Sequence, residues 1–434
     1  MAHSPQHRYP DASLWSIRRR QADPLGFLES LSRQGDCVPF TLARHQAFLL
    51  NRPDYVSDVL VSHAAAFQKG RANQRAKRLL GNGLLTADAE LHGERRRVLQ
   101  PAFARRRLEE CGSVIVARAR TMRDAWRPDQ IVDVTQSMGK LTFGIVGETI
   151  VGASVDSLFD EVRQVVAAAT ASVDPLVSLI APMRSVRIAQ VRLRRLVETL
   201  MARAGDPSAV RAPLSREGSL LSLLRVHDTE PESAAQRIDD LLTILLAGHD
   251  TMTSALTWSW LLLSSRPDVE EALQKELSSM LGGRDASAAD VPGLVYTRAI
   301  LAEALRLYPP AWVLARHAVE EHQFDEGRVP PGALVLMSQY LVHRDERWFD
   351  RPRDFDPDRW LPGRQTDKPR IAYFPFGAGP RSCIGESFAW MEGVLLLATI
   401  AQRWKLRPVS AFPDIDLRIT LRPRQRVLLR ASAI

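Results

Sequence analysis

The sequence has 434 residues, of which 45% are hydrophobic and 25% are charged, and its formal net charge is +8. This composition excludes an intrinsically disordered chain and predicts a folded protein with a large hydrophobic core. The three cysteines, Cys37, Cys111 and Cys383, have neither the spacing of a zinc site nor the pattern of a disulfide framework. We therefore expect a reducing compartment, the cytoplasm.

The excess of basic residues does not indicate a nucleic-acid-binding protein. The arginines are dispersed, and the densest run, residues 94–107, contains a single aromatic residue, Phe103, where base stacking requires several. We interpret the positive charge as an aid to solubility or as a surface for an acidic protein partner. Binding to DNA is the weakest alternative.

The order of predicted elements indicates an α+β protein that is predominantly helical. Residues 1–20 lack the apolar stretch of a signal peptide or membrane anchor. Apolar runs at 38–42 and 46–50 predict a strand pair, and helical periodicity dominates residues 55–307. The last third mixes short strands at 333–340 and 426–432, a proline-rich irregular stretch at 345–369 and one long helix after Cys383. No linker or repeat interrupts the chain, so we predict one domain over residues 1–434.

Residues 241–263 are long enough to span a membrane, but His249, Asp250 and several hydroxyl groups would be costly in lipid. We predict instead a helix buried in protein, capped near Ser233 and ended by Pro267. A glycine followed by Asp250 and Thr251 weakens the middle of this helix, which favours a groove with polar groups beside an apolar cavity. A kinked core helix explains these residues equally well.

Glu303 and Arg306 lie three residues apart in the apolar helical segment "ILAEALRLYPP". This spacing places both on one face of the helix, where the surrounding apolar residues predict a buried ion pair. A buried pair needs further partners to offset desolvation, and Arg359 in "FDPDRW" is the candidate third member. The spacing by itself occurs in many helices and is not diagnostic.

The segment "FGAGPRSCIG", residues 376–385, places three glycines, a proline and an arginine around Cys383. Taken in order, "AGHDT", "EALR", "FDPDRW" and this segment resemble the motifs of the cytochrome P-450 family of heme-thiolate monooxygenases. The resemblance extends from about residue 30 to the C-terminus. It implies the cytochrome P-450 fold, with a large helical region, small β-sheets and heme b between a long distal helix and the cysteine-bearing proximal helix.

The resemblance assigns the heme contacts. Cys383 is implied to be the axial ligand of the iron, whose thiolate favours cleavage of the O–O bond. Gly377, Gly379 and Gly385 are expected to let the loop approach the macrocycle, and Phe376 to pack beside the sulfur. The implied partners of the two heme propionates are His92, Arg96, Arg316 and Arg381. Cys37 and Cys111 are expected to be small buried thiols.

On the distal side, the resemblance assigns Ala247 and Gly248 to the oxygen groove, and Asp250 and Thr251 to delivery of the protons that oxygen activation consumes. The chain departs from the common family pattern at Met252, where a second hydroxyl residue is usual. We expect Met252 to be a packing residue and Thr253 to face another direction.

The family's substrate-lining positions are almost all apolar here, which implies a hydrophobic small molecule such as a terpenoid, polyketide, steroid or fatty acid. Core packing explains each of these residues equally well. They are Leu80, Leu85, Thr243, Ile244, Ala247, Ala311, Trp312, Val313 and Ile419.

No flavin or iron–sulfur segment follows the heme motif, so we expect NAD(P)H electrons from separate proteins, a ferredoxin with its reductase or a flavodoxin, and O2 as cosubstrate. The expected docking surface is basic, and the protein is expected to be a monomer. We expect Arg95, Arg97, Arg105, Arg106 and Arg107 at the surface. The alternatives are a peroxide-driven heme hydroxylase, which would bind a substrate carboxylate, and a non-catalytic heme-binding protein.

Overall fold

Helices form most of the described chain, in agreement with the predicted class. The computed structural model describes residues 23–42, 45–69, 71–152, 154–165, 183–205, 219–227, 234–364, 368–417 and 419–434. Residues 159–165 are helical, and the bounded α-helices are α1 (Pro24–Ser32), α2 (Pro53–Ser57), α3 (Arg71–Leu80), α4 (Ala89–Leu99), α5 (Arg105–Ala125), α6 (Val134–Val146), α7 (Met183–Gly205), α8 (Leu220–His227), α9 (Ala234–Ser264), α10 (Pro267–Leu281), α11 (Val295–Leu307), α12 (Gln339–Val342) and α13 (Glu386–Ala401).

The strands form small sheets, as the resemblance implies. They are β1 (Cys37–Leu42), β2 (His45–Leu50), β3 (Phe67–Gln68), β4 (Ile131–Asp133), β5 (Leu314–Ala318), β6 (His322–Phe324), β7 (Gly327–Val329), β8 (Leu334–Met337), β9 (Trp404–Pro408), β10 (Ile415–Leu417), β11 (Leu421–Pro423) and β12 (Leu428–Ala433). The largest sheet has the order β1-β2-β8-β5-β3, a second has the order β4-β12-β9, and β6-β7 and β10-β11 are two-stranded. The predicted first strand pair is β1 and β2, which are antiparallel with Cys37 opposite Leu50.

Helix α9 crosses the core and contains two buried stretches. Residues 238–245 and 254–264 are buried, whereas residues 246–251 are partly or fully accessible, and Ala247 is the most open of them. The accessible part of α9 thus lies between two buried parts of the same helix. The helix is continuous through Gly248, and it ends shortly before Pro267, which starts α10. The predicted cap at Ser233 lies outside the described residues.

A turn held by side-chain hydrogen bonds supports the loop that carries Cys383. After α2 the chain makes a π-helical turn, Asp58–Ser62, whose Asp58 carboxylate is hydrogen-bonded to Nδ1 of His63 at 2.5 Å and to Nε2 of His322 at 2.5 Å. The same turn touches Gly379, where a Cβ atom would lie only 1.8 Å from the carbonyl oxygen of Leu60. The cysteine loop therefore rests on a turn that is fixed to β6.

The two cysteines outside this loop are structural. Both thiols are buried, and burial raises the pKa of Cys37 to about 12 and that of Cys111 to about 11. Protonated thiols of this kind behave as small apolar groups.

Candidate active site

Glu303 and Arg306 form a fully buried ion pair on α11. Their side chains are paired in bidentate fashion, with 2.8 Å from Nε to Oε2 and 2.7 Å from Nη2 to Oε1. Arg359 donates to Glu303 Oε1 at 2.9 Å, as the sequence predicts, and Trp360 Nε1 donates to Oε2 at 2.8 Å. Burial raises the pKa of Glu303, but the hydrogen bonds and charge of Arg306, the charge of Arg359 and the N–H of Asp356 together outweigh it, and the net pKa is lowered. The carboxylate is thus held in its charged form.

The remaining donors of Arg306 connect this pair to the chain that precedes the cysteine loop. Its Nη1 atom donates to the carbonyl oxygens of His343 at 2.8 Å and Pro352 at 2.6 Å, and Nη2 donates to that of Asp354 at 3.0 Å. His343 Nε2 in turn accepts from the backbone N–H of Phe374 at 3.0 Å. The backbone at residues 343, 352, 354 and 374 is therefore fixed to α11 by a few buried side chains.

The cysteine loop turns back on itself through two left-handed glycines. Gly377 has φ of 71° and Gly379 has φ of 70°, conformations that side chains with a Cβ disfavour. The N–H of Cys383 donates to the carbonyl oxygen of Phe376 at 2.9 Å, which closes the loop. Gly385 is the N-cap of α13. Its φ of −89° is open to any residue, so no left-handed turn requires glycine at this position.

The Cys383 sulfur lies on the wall of a cavity. Its side chain is accessible, yet burial raises the pKa of the thiol, while the N–H of Gly385 and the charge of Arg96 lower it. The Cys383 thiol is accessible although protein surrounds it, so it faces an internal space. Phe376 packs on Trp390 of α13 with ring centroids 5.5 Å apart, on the helix that begins beside the sulfur.

Five basic side chains converge above this loop. They are Lys69, His92, Arg96, Arg316 and Arg381, and charges within this set contribute to the lowered pKa values of Lys69, His92 and Arg316. Their hydrogen bonds go to carbonyl oxygens, namely Arg96 Nη1 to Ser382 (2.7 Å), Arg381 Nη1 to Ala87 (3.1 Å), Arg316 Nη1 to Ala315 (2.9 Å) and Lys69 Nζ to Leu85. Within the described parts of the chain, none of the five forms an ion pair with a carboxylate.

Burial, and after it the charges of neighbouring cations, lowers the pKa values of Lys69, His92 and Arg316. Burial and the charges of Arg381 and Arg316 lower the pKa of Lys69 to about 7. Burial and the same neighbours lower the pKa of His92 to about 4, and burial together with Arg381 lowers that of Arg316 to about 10. Such a cluster is complementary to a ligand with more than one negative charge.

The polar side chains in the middle of α9 have separate partners. Thr420 Oγ1 donates to Asp250 Oδ2 at 2.6 Å, and Thr251 Oγ1 donates to the carbonyl oxygen of Ala247 at 2.7 Å. Thr253 donates to the carbonyl oxygen of His249 at 2.8 Å and lies 3.0 Å from the hydroxyl of Thr142 on α6. Asp250 and Thr251 are thus the polar residues at the end of the accessible stretch 246–251, whereas Thr253 faces α6.

The family model for cytochrome P450 matches residues 13–203 and 227–430. The chain belongs to the cytochrome P450 family. It is 36% identical over 424 residues to cyclooctatin synthase of Streptomyces melanosporofaciens, covering 95% of this chain and 90% of the relative. It is 33% identical to cyclooctat-9-en-7-ol 5-monooxygenase of the same organism, covering 89% of this chain and 86% of the relative. The crystal structure of CYP175A1 from Thermus thermophilus superposes with a TM-score of 0.78 at 28% identity, covering 96% and 97% of the two chains.

This protein is therefore a cytochrome P450 monooxygenase, a family that uses heme and O2. The residues present fit a heme. An accessible thiol and a cluster of cations without carboxylate partners match a group that carries an iron and two carboxylates. None of the described helices combines the length and apolarity needed to cross a lipid bilayer.

Lys69 is the member of this P450's cationic cluster that the sequence analysis missed. It follows β3, which pairs with β5 so that Gln68 lies opposite His317. The next position in that register places Lys69 opposite Arg316. The two residues are 247 apart in sequence, so no local pattern identifies the lysine.

Two arginines expected at the surface of the P450 are buried. Arg95 is 2% exposed and pairs with buried Asp240 of α9, with 2.7 Å from Nη2 to Oδ2. Arg107 is 7% exposed and donates to Glu110 at 2.9 Å. Both expectations were wrong, because each arginine lies on the inward face of its helix beside a carboxylate. Arg97, Arg105 and Arg106 are exposed, as predicted.

The glycine of the expected oxygen groove has a packing role of its own. A Cβ atom at Gly248 would lie 3.0 Å from Cγ2 of Val146, so its absence allows α6 to approach α9 closely. Met252 is buried, and its terminal methyl lies 3.3 Å from the position of a Cβ at Gly393 of α13. Met252 is thus a packing residue, as expected.

The expected substrate positions of the P450 divide into two groups. Thr243, Ile244 and Trp312 are buried in the core, where packing explains them. The other positions are partly or fully accessible, namely Leu80, Leu85, Ala247, Ala311, Val313 and Ile419. Only this second group presents surface to a ligand in the described structure.

Proposed function

We propose that this P450 oxidises an apolar cyclic terpenoid at a carbon–hydrogen bond, using electrons delivered by a separate protein. The observation that carries the proposal is the Asp250–Thr251 pair on the accessible stretch of α9, beside Ala247. A relative whose name denotes an unsaturated alcohol oxidised at a further position supports the substrate class. The accessible substrate positions are all apolar, which suits a hydrocarbon skeleton with little functionality.

In this proposal the chain's own residues bind the heme and orient it. Cys383 is the iron ligand, and His92, Arg96, Arg316, Arg381 and Lys69 bind the propionates. When bound, the heme supplies the redox centre at which O2 is reduced and substrate is oxidised. Arginine donors to carboxylates form strong charge-assisted bonds, which would fix the orientation of the ring.

Asp250 and Thr251 are proposed to move protons to the oxygen site. The hydroxyl of Thr251 uses its proton in the bond to the Ala247 carbonyl, so its oxygen lone pairs are oriented to accept from a water molecule. Asp250 is held by Thr420 through Oδ2, which leaves Oδ1 for a second water. Ordered groups of this kind transfer protons faster than bulk solvent does.

A peroxide-driven hydroxylase is less well supported. That chemistry usually needs a cation near the oxygen groove to bind the substrate carboxylate. The accessible substrate positions in the described chain carry no charge, and the cations near Cys383 lie in the cluster assigned to the propionates. A non-catalytic heme-binding protein would have no use for a paired carboxylate and hydroxyl on the distal helix.

The proposed function is tested by turnover of the holoenzyme with a ferredoxin, its reductase and a panel of terpenoids, steroids, fatty acids and macrolides. Binding spectra first select the compounds that displace the water ligand of the iron. We expect cyclic terpenoids to bind and to be oxidised in an NAD(P)H-dependent reaction. Tight binding restricted to fatty acids, with turnover supported by hydrogen peroxide alone, would contradict the proposal.

Thr251→Ala should uncouple electron use from product formation. The variant loses an ordered proton path, so it should still consume NAD(P)H but form product more slowly by about two orders of magnitude, with more hydrogen peroxide released. Thr253→Ala is the matched control, because that hydroxyl faces Thr142. If Thr251→Ala retains full product yield per NAD(P)H, protons arrive by another route, and our assignment of Thr251 is wrong.

We infer that an acidic redox protein docks on the face that carries Arg97, Arg105 and Arg106. All three are exposed, and they flank a segment that contacts the cysteine loop. Arg96, the neighbour of Arg97, bonds to Ser382, and a Cβ at Gly385 would touch Phe103 at 3.6 Å. A redox protein bound to this face would therefore lie beside the loop that carries Cys383 and could transfer electrons over a short distance.

Reversing charge on this face should slow reduction by an acidic ferredoxin. We expect Arg97→Glu combined with Arg106→Glu to lower the second-order rate of reduction by about tenfold at low ionic strength, with the difference shrinking as salt is added. Stopped-flow reduction under carbon monoxide measures this rate. Lys275→Glu, at an exposed position on α10, is the control. Equal rates for the double variant and the control would place the docking face elsewhere.

A further inference from the structure

The end of the β10–β11 hairpin is hydrogen-bonded both to the distal helix α9 and to the segment that follows α11. Leu417 pairs with Leu421 across the hairpin. Two successive residues between β10 and β11 differ in exposure, because Thr420 is 5% exposed and Ile419 is 49% exposed. A buried hydroxyl and an accessible apolar side chain thus share one short segment, which we call the hairpin tip (residues 419–421).

The hairpin tip is hydrogen-bonded to α9 at three positions. Thr420 Oγ1 donates to Asp250 Oδ2 at 2.6 Å. The carbonyl oxygen of Leu421 accepts from Ser254 Oγ at 2.5 Å and from Trp258 Nε1 at 3.4 Å. Since these α9 residues follow Asp250 by one and two turns, the tip is aligned along the helix on the side that carries the carboxylate.

The tip is also bonded to the other wall of the pocket. The N–H of Leu421 donates to the carbonyl oxygen of Pro310 at 3.0 Å, immediately before the accessible positions Ala311 and Val313. A displacement of the tip therefore changes contacts to α9 and to this segment together.

Thr420 is the described side chain that fixes the Asp250 carboxylate. No ion pair joins Asp250 to a lysine, arginine or histidine in the parts of the chain that the structure describes. The adjacent imidazole, His249, packs between Phe143 and Phe159, with ring centroids 5.3 Å and 5.8 Å away. The direction of the carboxylate thus depends on one hydroxyl from a distant hairpin.

We propose that Thr420 is a positioning residue that orients the Asp250 carboxylate for proton delivery. The hairpin tip makes this orientation depend on whether substrate occupies the pocket. The inference rests on the proposed role of Asp250 and Thr251. Thr420 binds Oδ2 and leaves Oδ1 directed to the water that serves Thr251. Substrate packed on Ile419 holds the tip against α9, so protons are delivered efficiently only when substrate is present.

Thr420→Val and Thr420→Ser test the positioning role in the holoenzyme, with a substrate that the wild type oxidises. Valine keeps the shape of threonine and removes the hydroxyl. We expect unchanged substrate-induced spectra and unchanged NAD(P)H consumption, but about tenfold less product per NAD(P)H, the factor that one hydrogen bond to a charged group represents. Serine should restore most of the yield. Full yield in Thr420→Val, or a loss that serine does not restore, would overturn the positioning role.

A double-variant cycle tests the coupling. Ile419→Ala removes the side chain that substrate would press upon, so product yield should fall while substrate still binds. In the Thr420→Val background the same change should have little further effect, because the bond it acts through is already absent. Additive losses would overturn the coupling.

The proposed function fails separately from this inference. If Thr251→Ala remains fully coupled while Thr420→Val does not, Thr420 still positions Asp250 and the role of Thr251 is wrong. If both variants remain fully coupled, proton delivery does not use this pair, and the inference fails with it.

Discussion

Cys383→Ala is expected to abolish the strongly red-shifted Soret band of the reduced carbon monoxide complex, together with all monooxygenase activity. That band would report ligation of the iron by a thiolate, and Cys383 is the accessible cysteine of the chain. The other two thiols are buried, and their raised pKa values keep them protonated, so neither can replace it. Absorption spectra of the dithionite-reduced, carbon monoxide-saturated variant measure the effect.

Cys111→Ala is the matched control for this prediction. It removes a buried thiol whose sulfur donates to the Arg107 carbonyl oxygen, and it should keep the shifted band. A shifted band that persists in Cys383→Ala would show that the iron ligand lies elsewhere in the sequence.

Glu303→Gln should yield little heme-loaded protein. The carboxylate accepts two bonds from Arg306 and one each from Arg359, Trp360 and the N–H of Asp356. Neutralising it leaves the fully buried guanidinium of Arg306 without its counter-charge, at a cost of roughly 3–5 kcal/mol. Because the same guanidinium fixes the chain before the cysteine loop, the loss should appear as a lower ratio of heme to protein and a lower melting temperature.

Arg306→Lys separates charge from geometry at this site. Lysine keeps the positive charge but cannot reproduce a fork that bonds to one carboxylate and three carbonyl oxygens. We expect it to lose heme nearly as severely as Glu303→Gln.

Glu270→Gln is the control for a buried carboxylate elsewhere. Glu270 is 5% exposed and pairs with Arg407, which remains 38% exposed and can return to water. Its replacement should lower stability modestly and leave heme content unchanged. Normal heme content in both Glu303→Gln and Arg306→Lys would show that the buried pair does not support the heme site.

Local sequence determined the features that depend on residues close together in the chain. The left-handed turns around Cys383 require glycines at 377 and 379, and these stand within the motif itself. Glu303 and Arg306 share a helix face by spacing alone, and α9 stops before Pro267 because proline lacks the N–H that continues a helix. The family and the buried ion pair could therefore be predicted from sequence.

Tertiary structure alone decided which distant groups meet. Lys69 joins the cationic cluster through the register of β3 with β5, and Arg95 is buried because Asp240 lies opposite it, 145 residues away. The hydroxyl of Thr420 bonds to the carboxylate of Asp250, 170 residues away. Helical periodicity states which residues share a face, but it does not state what packs against that face. A charged or hydroxyl side chain can be buried only where another segment supplies its partner, and that partner is fixed by packing of the whole chain.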